Sequence, residues 1–412
     1  MSHNFIPGIA SQSLGCPQHH NIKDKLEAAA SVGLKAVEIF FEDIVQLATR
    51  QQPRPPLLGD RHTSTLSNEQ AQQLACAHQI GRWCTDLDLE VICLQPFMHF
   101  EGLLDPHERE SRFEKLHFWI PIAKALGTDL IQIPSNFLAK SECTGDRTRV
   151  IADMKKAAEI GAAQHPTIRF AHEALCWGTH TDTWDAAWQI VEEVDMPNFG
   201  TCIDTFNLAG RVYADPEAQD GKMRNADTNL RQSIELLRRT FSDPQKLSKI
   251  FYVELCDGER LDEPICPEHV WYDASQPARM TWSRNARLYP FEDNEDEARA
   301  QNRGPGYLPV TEVLDALLDV GYTGQLSFEV FNRSLNEVNE DVISRHAARA
   351  GKSWRRCAAY IDSYFAQRSQ SEHEYVDEEL VESNPRADFE VGPYPIAKVR
   401  SHQSSRELTP RL

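Results

Sequence analysis

Arg169-Phe-Ala-His-Glu-Ala-Leu-Cys-Trp177 is a short apolar run rich in strand formers, with one acid, Glu173, in its second half. Three later stretches share that build. Phe199-Gly-Thr-Cys-Ile-Asp-Thr-Phe-Asn207 carries Asp204, Ile250-Phe-Tyr-Val-Glu-Leu-Cys-Asp257 carries Glu254, and Gln325-Leu-Ser-Phe-Glu-Val-Phe-Asn332 carries Glu329. Each reads as a buried strand with a carboxylate near its C-terminal end. An ionised carboxylate in such surroundings is costly unless it is paired or bound to a metal. For any one of them, an arginine or lysine partner or a helix cap is the simpler explanation. Four at matching strand ends favour a shared metal ion instead.

Outward from these runs the chain repeats one unit. Pro7-Gly-Ile-Ala-Ser-Gln-Ser-Leu14 reads as a first strand and residues 22–32 as an amphipathic helix with Leu26, Ala29 and Ala30 on one face, followed by Gly33 and a second strand, Ala36-Val-Glu-Ile-Phe-Phe-Glu42. Helix, glycine cap, short loop and strand recur at 126–134, at Ile160-Gly161 leading to Ile168, and at 320–329. Glycine just past a helix takes the left-handed conformation that ends it. Eight strands are expected, near 7–14, 36–42, 90–97, 130–136, 168–175, 199–207, 250–257 and 325–332. Their alternation with helices predicts an α/β fold, a closed (βα)8 TIM barrel. The rival is an open doubly wound sheet, which would carry a glycine-rich phosphate turn after its first strand; Ser11-Gln-Ser-Leu-Gly-Cys16 has none. In a barrel the strand C-termini form the active-site face, where the four acids fall.

The predicted organisation is a catalytic domain over 1–365 and a polar tail over 366–412, expected to be disordered from its acidic, then proline-rich composition. Residues 51–67 read as a Pro-rich loop, and 258–309, between the last two strands, as a lid bearing cations and aromatics. The chain has 412 residues, 41% hydrophobic, and a net charge of −19, which argues against nucleic acid or an anionic membrane surface as partner and leaves a small-molecule substrate. The ten cysteines are scattered with no Cys-x-x-Cys pair, so a reducing, intracellular and cytoplasmic setting is expected. No apolar run reaches membrane-spanning length. Oligomeric state is not legible.

Glu173, Asp204, Glu254 and Glu329 offer hard oxygen donors, which suits Mg²⁺ or Mn²⁺, with Co²⁺ a workable substitute. Such an ion on an open barrel face can chelate a ketone and an adjacent hydroxyl and stabilise the enediolate formed when the α-proton leaves, so enolisation chemistry is the natural expectation.

The runs 170–177, 197–207 with 210–216, 91–99 and 277–285 resemble the fungal 3-dehydroshikimate dehydratases of quinate catabolism, within the sugar-phosphate isomerase/epimerase-like TIM barrels. The similarity extends over about residues 7–360. The resemblance implies a metal-dependent hydro-lyase that converts 3-dehydroshikimate to protocatechuate. The ion would hold the C3 carbonyl and C4 hydroxyl, a base would take the C4 proton, and the C5 hydroxyl would leave as water. Metal ligands carry over to Glu173, Asp204, position 254 and Glu329. Ser283 and Arg287, with Arg284 and Asn207, fall at substrate-binding positions, the guanidiniums suited to a carboxylate.

This chain departs from the family pattern in three places, at Glu254, His172 and the insert 290–298. Glu254 stands where the family has glutamine, and the extra charge could tighten the metal while weakening it as a Lewis acid. His172 stands where tyrosine is common, and strand alternation aims it away from Glu173, as a packed histidine. Asn207, where some bacterial relatives place histidine, cannot act as a base. The insert 290–298 is long and acidic. His99, directly after the third strand on the active face, is the candidate general base, a structural or substrate-orienting role being the alternative. Alternative readings are a sugar or sugar-phosphate isomerase/epimerase on the same barrel, for which a histidine ligand is missing, and a barrel that binds shikimate-type metabolites without turnover. A base-repair endonuclease would need a basic groove that the charge does not provide.

Overall fold

The computed structural model describes residues 5–51, 66–292 and 304–382. Two units divide the chain, Met1–Asp362 and Ser363–Leu412. In the first, eight parallel strands close into a barrel in chain order: β1 Ile6–Ala10, β2 Ala36–Phe40, β3 Glu90–Gln95, β4 Leu130–Pro134, β5 Arg169–Glu173, β6 Phe199–Asp204, β7 Ile250–Glu254 and β8 Gln325–Phe328, with β8 pairing back onto β1. The barrel expected from the sequence is thus present, its strands ending earlier than the apolar runs suggested. Ser11–Leu14, read as the end of β1, is a 3-10 turn in which Ser13 is buried and its Oγ accepts from Val330 N.

Among the described residues, helices follow most of the strands. Helices begin at side-chain caps such as Asn21 before Ile22–Ser31, the Ser67/Gln70 capping box before Asn68–Asp86, and Asp105 before Pro106–Leu126. Gly33, Gly127 and Gly321 follow helices with φ near +88°, +88° and +82°, as their sequence position predicts. Gly161 does not: it lies inside the helix Arg147–Ala162, where a Cβ would stand 2.4 Å from the Ile168 carbonyl oxygen. Close packing of helix on strand, not chain reversal, requires glycine there.

Residues 366–382, expected to be disordered, are helical. Their Gln, Arg and Glu content favours helix and no Pro or Gly interrupts it. Residues 383–412 lie outside the described residues, as do 52–65 of the Pro-rich loop and 293–303 of the lid with most of its acidic insert. No described helix is long and apolar enough to cross a membrane.

Strand alternation sets what the barrel holds. Ala36, Cys93, Leu130, Ala171, Cys202 and Tyr252 form an apolar layer, and two residues further along β5, β6 and β7 stand Glu173, Asp204 and Glu254. The register pairs Asp204 with Glu254 and Pro134 with Glu173. Below them Gly200 of β6 leaves space for the Lys249 carbonyl and the Phe251 ring, which a Cβ would approach to 2.4 and 2.7 Å. Gly200→Ala is expected to lower stability by about 1–3 kcal/mol through this overpacking. Thermal unfolding of the variant checks it; an unchanged Tm would show that the β6–β7 edge adapts freely.

Candidate metal centre and active-site cavity

Glu173, Asp204, Glu254 and Glu329 converge at the C-terminal mouth of the barrel. Each is 4% exposed or less, and each offers one oxygen such that the four lie within 4.8 Å of one another. Three sit on the last residue of their strands, and Glu329 directly follows β8. Asp204 also caps the helix Thr205–Val212, its Oδ1 accepting from Phe206 N at 2.7 Å.

Among the described residues a single guanidinium stands against these four carboxyls. Arg287 Nη1 donates to Asp204 Oδ2 and Glu329 Oε2, both at 2.9 Å, and Nε donates to Ser283 Oγ at 2.9 Å. Its plane packs against Phe206 and Phe331, with the guanidinium carbon 4.4 and 5.1 Å from the ring centroids. Burial opposes its charge, yet Asp204 and Glu329 together hold its pKa well above the ordinary value. One cation does not balance the cluster. Burial, reinforced by neighbouring carboxylates, pushes Glu173 and Glu254 well above the usual carboxyl range. Glu329 rises to about 8, by burial against the pull of Arg287.

A second tier of polar groups holds the acids in place. Gln132 Nε2 donates to Glu173 Oε2 at 2.5 Å. Asn207 Nδ2 bridges Glu173 Oε1 at 2.8 Å and Asp204 Oδ2 at 2.5 Å, while its Oδ1 accepts from Cys176 N. Asn207 therefore ties two of the acids together and is not among the residues lining the cavity. Glu38 of β2, which sequence reasoning read only as part of a strand, is a fifth buried acid. It accepts from Gln95 Nε2 at 2.5 Å and from Ser327 Oγ, and lies against Glu254. Its position two residues after the inward Ala36 was the available signal.

Above the acids opens a cavity of about 360 Å³. Phe40, Phe137, Trp177 and Phe331 contribute its aromatic walls, Glu173 and Glu329 its floor, and Ser283, Arg284 and Arg287 enter from the lid side. The lid carries these last residues on the helix Ala278–Ala286 and on Arg287–Leu288, which pairs antiparallel with Asp257–Gly258. Arg284 reaches Gln276 Oε1 at 3.0 Å. His99, the candidate base, does not line the cavity among the described residues. Held at φ +57°, it packs its ring on Phe137, 4.4 Å between centroids, and stands 3.4 Å from Asn136 Oδ1. Burial lowers its pKa. His172 is fully buried under the barrel surface, hydrogen-bonded to the Ile133 carbonyl oxygen, its pKa pushed down to about 4 by burial. That is the packed role expected of it.

The residues present suit a divalent cation. Every donor is a carboxylate oxygen, as a hard ion prefers. Glu254 Oε2 is buried without a hydrogen-bond partner although its carboxyl faces that of Glu38, and neither can donate while both are ionised. The cluster could hold a metal ion, which would replace protons as the compensating charge.

A family model described as xylose isomerase-like TIM barrel matches residues 26–356. Over 349 residues the chain is 43% identical to the 3-dehydroshikimate dehydratase of Neurospora crassa, which covers 84% of this chain and 91% of that protein. It is 27% identical over 317 residues to the 3-dehydroshikimate dehydratase of Pseudomonas aeruginosa, 76% of this chain but only 36% of that longer protein. Among solved structures, a xylose isomerase-like TIM barrel/4-hydroxyphenylpyruvate dioxygenase fusion protein shares the fold with a TM-score of 0.58 at 23% identity, over 86% of this chain and 42% of that one.

The raised carboxyl values carry a pH dependence. In metal-stripped protein, folding binds protons at Glu173, Glu254 and Glu329. Stability from this source is complete below the unfolded carboxyl pKa of about 4.3 and is lost as pH rises toward the folded values. Between pH 5 and pH 8, the latter the value near which Glu329 titrates, the Tm of chelator-treated protein is expected to fall, and saturating Mn²⁺ to remove that fall. A chelated protein with a Tm independent of pH over this window would contradict the arrangement of the acids.

Proposed function

The chain belongs to the xylose isomerase-like TIM barrel family and to the 3-dehydroshikimate dehydratases, and from that premise we propose that it removes water from 3-dehydroshikimate to give protocatechuate, with Mg²⁺ or Mn²⁺ held by Glu173, Asp204, Glu254 and Glu329. The observation that carries this reading is the meeting of four buried carboxyls, two of them flooring a cavity whose lid side bears two arginines. Bound there, a hard divalent ion supplies a Lewis acid that polarises a carbonyl and steadies the negative charge that develops on its oxygen.

The protein groups do the rest. Ser283, Arg284 and Arg287 bind the substrate carboxylate on the lid side, where a forked guanidinium gives charge and two-point geometry. Arg287 already spans Ser283 and the acidic floor, so it fixes the substrate's distance from that floor. The aromatic walls bury the six-membered ring and exclude water, which strengthens every polar contact within. Asn207 and Gln132 hold Glu173 and Asp204 in one orientation. A sugar isomerase reading receives no support from the donor set, which contains no histidine.

Chelated protein supplied with 3-dehydroshikimate is expected to form protocatechuate, followed by its ultraviolet absorbance, only after Mg²⁺, Mn²⁺ or Co²⁺ is restored. No product with any of these ions would overturn the reading. Glu173→Ala, Asp204→Ala and Glu329→Ala are each expected to lose both bound metal and turnover, by a factor of about 10² or more. Glu254→Gln, which retains shape and one oxygen, is expected to keep the ion with weaker affinity. An alanine variant of the first three that stays active without bound metal would remove these residues from the ligand set.

A further inference from the structure

Dehydration of this substrate needs a group that accepts a proton from carbon and returns one to oxygen. Among the described residues lining the cavity, the side chains that titrate are Glu42, Glu173, Glu329, Arg284 and Arg287. Glu173 and Glu329 belong to the acidic floor, and arginine does not give up its proton. His99 is not on the wall, and Asn207 is neither on the wall nor a base. Glu42 remains.

Its placement suits the task. Glu42 lies in the first turn of the helix Phe41–Arg50, which starts directly after β2 and so on the active-site face of the barrel. Unlike Glu329, which pairs with Arg287, it makes no ion pair among the described residues. Its Oε2 is buried and has no hydrogen-bond partner among the described residues. A buried carboxylate oxygen left without a donor is costly unless a ligand supplies one. The charged groups around it are few. Asp43 on the same helix is paired with Lys25 at 2.7 Å, Lys115 approaches from the helix Pro106–Leu126, and the cavity presents Arg284, Arg287, Glu173 and Glu329. Burial raises the pKa of Glu42, its own backbone N–H opposes this, Asp43 adds to it and Lys115 again opposes. That direction brings a carboxyl closer to the neutral range in which an acid–base catalyst works best.

We propose that Glu42 is the catalytic acid–base of the reaction, taking the proton from C4 of 3-dehydroshikimate and delivering it to the departing C5 hydroxyl. The assignment rests on the dehydratase reading above. In the first step the C4–H bond breaks, its proton goes to a Glu42 carboxylate oxygen, and the electron pair moves toward the C3 carbonyl. In the second the electron pair returns to form the C4–C5 double bond, the C5–O bond breaks, and the hydroxyl takes the Glu42 proton and leaves as water. Transfer of a C6 proton to the C3 oxygen then completes the aromatic ring. Glu42 ends as it began, and substrate equals protocatechuate plus one water. One carboxyl serving both steps requires the C4 hydrogen and the C5 hydroxyl to leave from the same face of the ring.

The test compares Mn²⁺-loaded wild type with Glu42→Gln, Glu42→Ala and Glu42→Asp. Glu42→Gln is expected to lose kcat by about 10²- to 10³-fold while metal content and 3-dehydroshikimate binding, read by calorimetry, stay within threefold of wild type. Added formate is expected to restore part of the activity of Glu42→Ala. A wild type that turns over beside a Glu42→Gln that keeps its kcat within tenfold overturns the Glu42 assignment alone. A wild type with no turnover overturns the dehydratase reading and this inference with it. Should Glu42→Gln lose metal or fold, Glu42→Asp decides: turnover retained with the shorter carboxyl supports the proton-transfer role, and none overturns it.

Discussion

Five carboxyls buried in one barrel mouth, with one guanidinium among them, are the constraint on which the rest of this structure depends. Glu38, Glu173, Asp204, Glu254 and Glu329 would each be costly alone, and Arg287 contacts only two of them. The surplus must be met by protons or by a cation. Much of the surrounding sequence is explained by that need. Gln95, Gln132, Ser327 and Tyr252, on the strands, are donors placed against carboxylate oxygens where a TIM barrel would otherwise put branched apolar residues, and Asn207 joins them from the helix after β6. They orient the acids but do not neutralise them. A divalent ion held there would do both, and the Glu254 oxygen that has no hydrogen-bond partner among the described residues is open to it.

The barrel supplies the precision. Parallel register sets Asp204 beside Glu254, and the period of two sends Glu173, Asp204 and Glu254 inward above Ala171, Cys202 and Tyr252. A slip of one residue in any of these strands would turn its acid out into the helical layer. Close contacts at Gly161 and Gly200 leave little freedom for such a slip, because backbone oxygen occupies the space of the missing Cβ.

Those parts of the molecule that obey local periodicity were legible in the sequence. Eight strands, their order, the glycine caps at Gly33, Gly127 and Gly321 and the convergence of four acids all follow from alternation and spacing. What escaped depends on contacts between distant residues. His99 looked like a base because it follows a strand on the right face, but a left-handed backbone turn and the Phe137 ring place it away from the cavity wall. Asn207 stood at a substrate-binding position and instead bridges two acids, since the helix begun at Thr205 turns its amide back toward Glu173. Glu42 drew no attention because an acid in the first turn of a helix is ordinary. Only the cavity shows that it also faces the substrate's side. The helix over 366–382 runs against the disorder its polar composition suggests, because helix propensity prevails there.

The distribution of charge across the cavity also restricts what can occupy it. Negative charge is concentrated in the floor and positive charge on the lid side, with aromatic faces between. A ligand that is anionic at one end and carries carbonyl or hydroxyl oxygens at the other fits this field in one direction only. A neutral sugar would gain nothing from Arg284, and a phosphorylated one would face a single guanidinium already engaged by Asp204 and Glu329 beside another at the rim. A planar carboxylate needs less: one forked contact and a hydroxyl such as Ser283 suffice. In the proposed reading, Arg287 therefore couples the two ends of the site. It meets the floor acids through Nη1 and Ser283 through Nε, so any change in the charge of the floor shifts the group that receives the substrate. Occupancy of the acidic cluster and binding of the carboxylate are thereby linked through one side chain, without movement of the barrel.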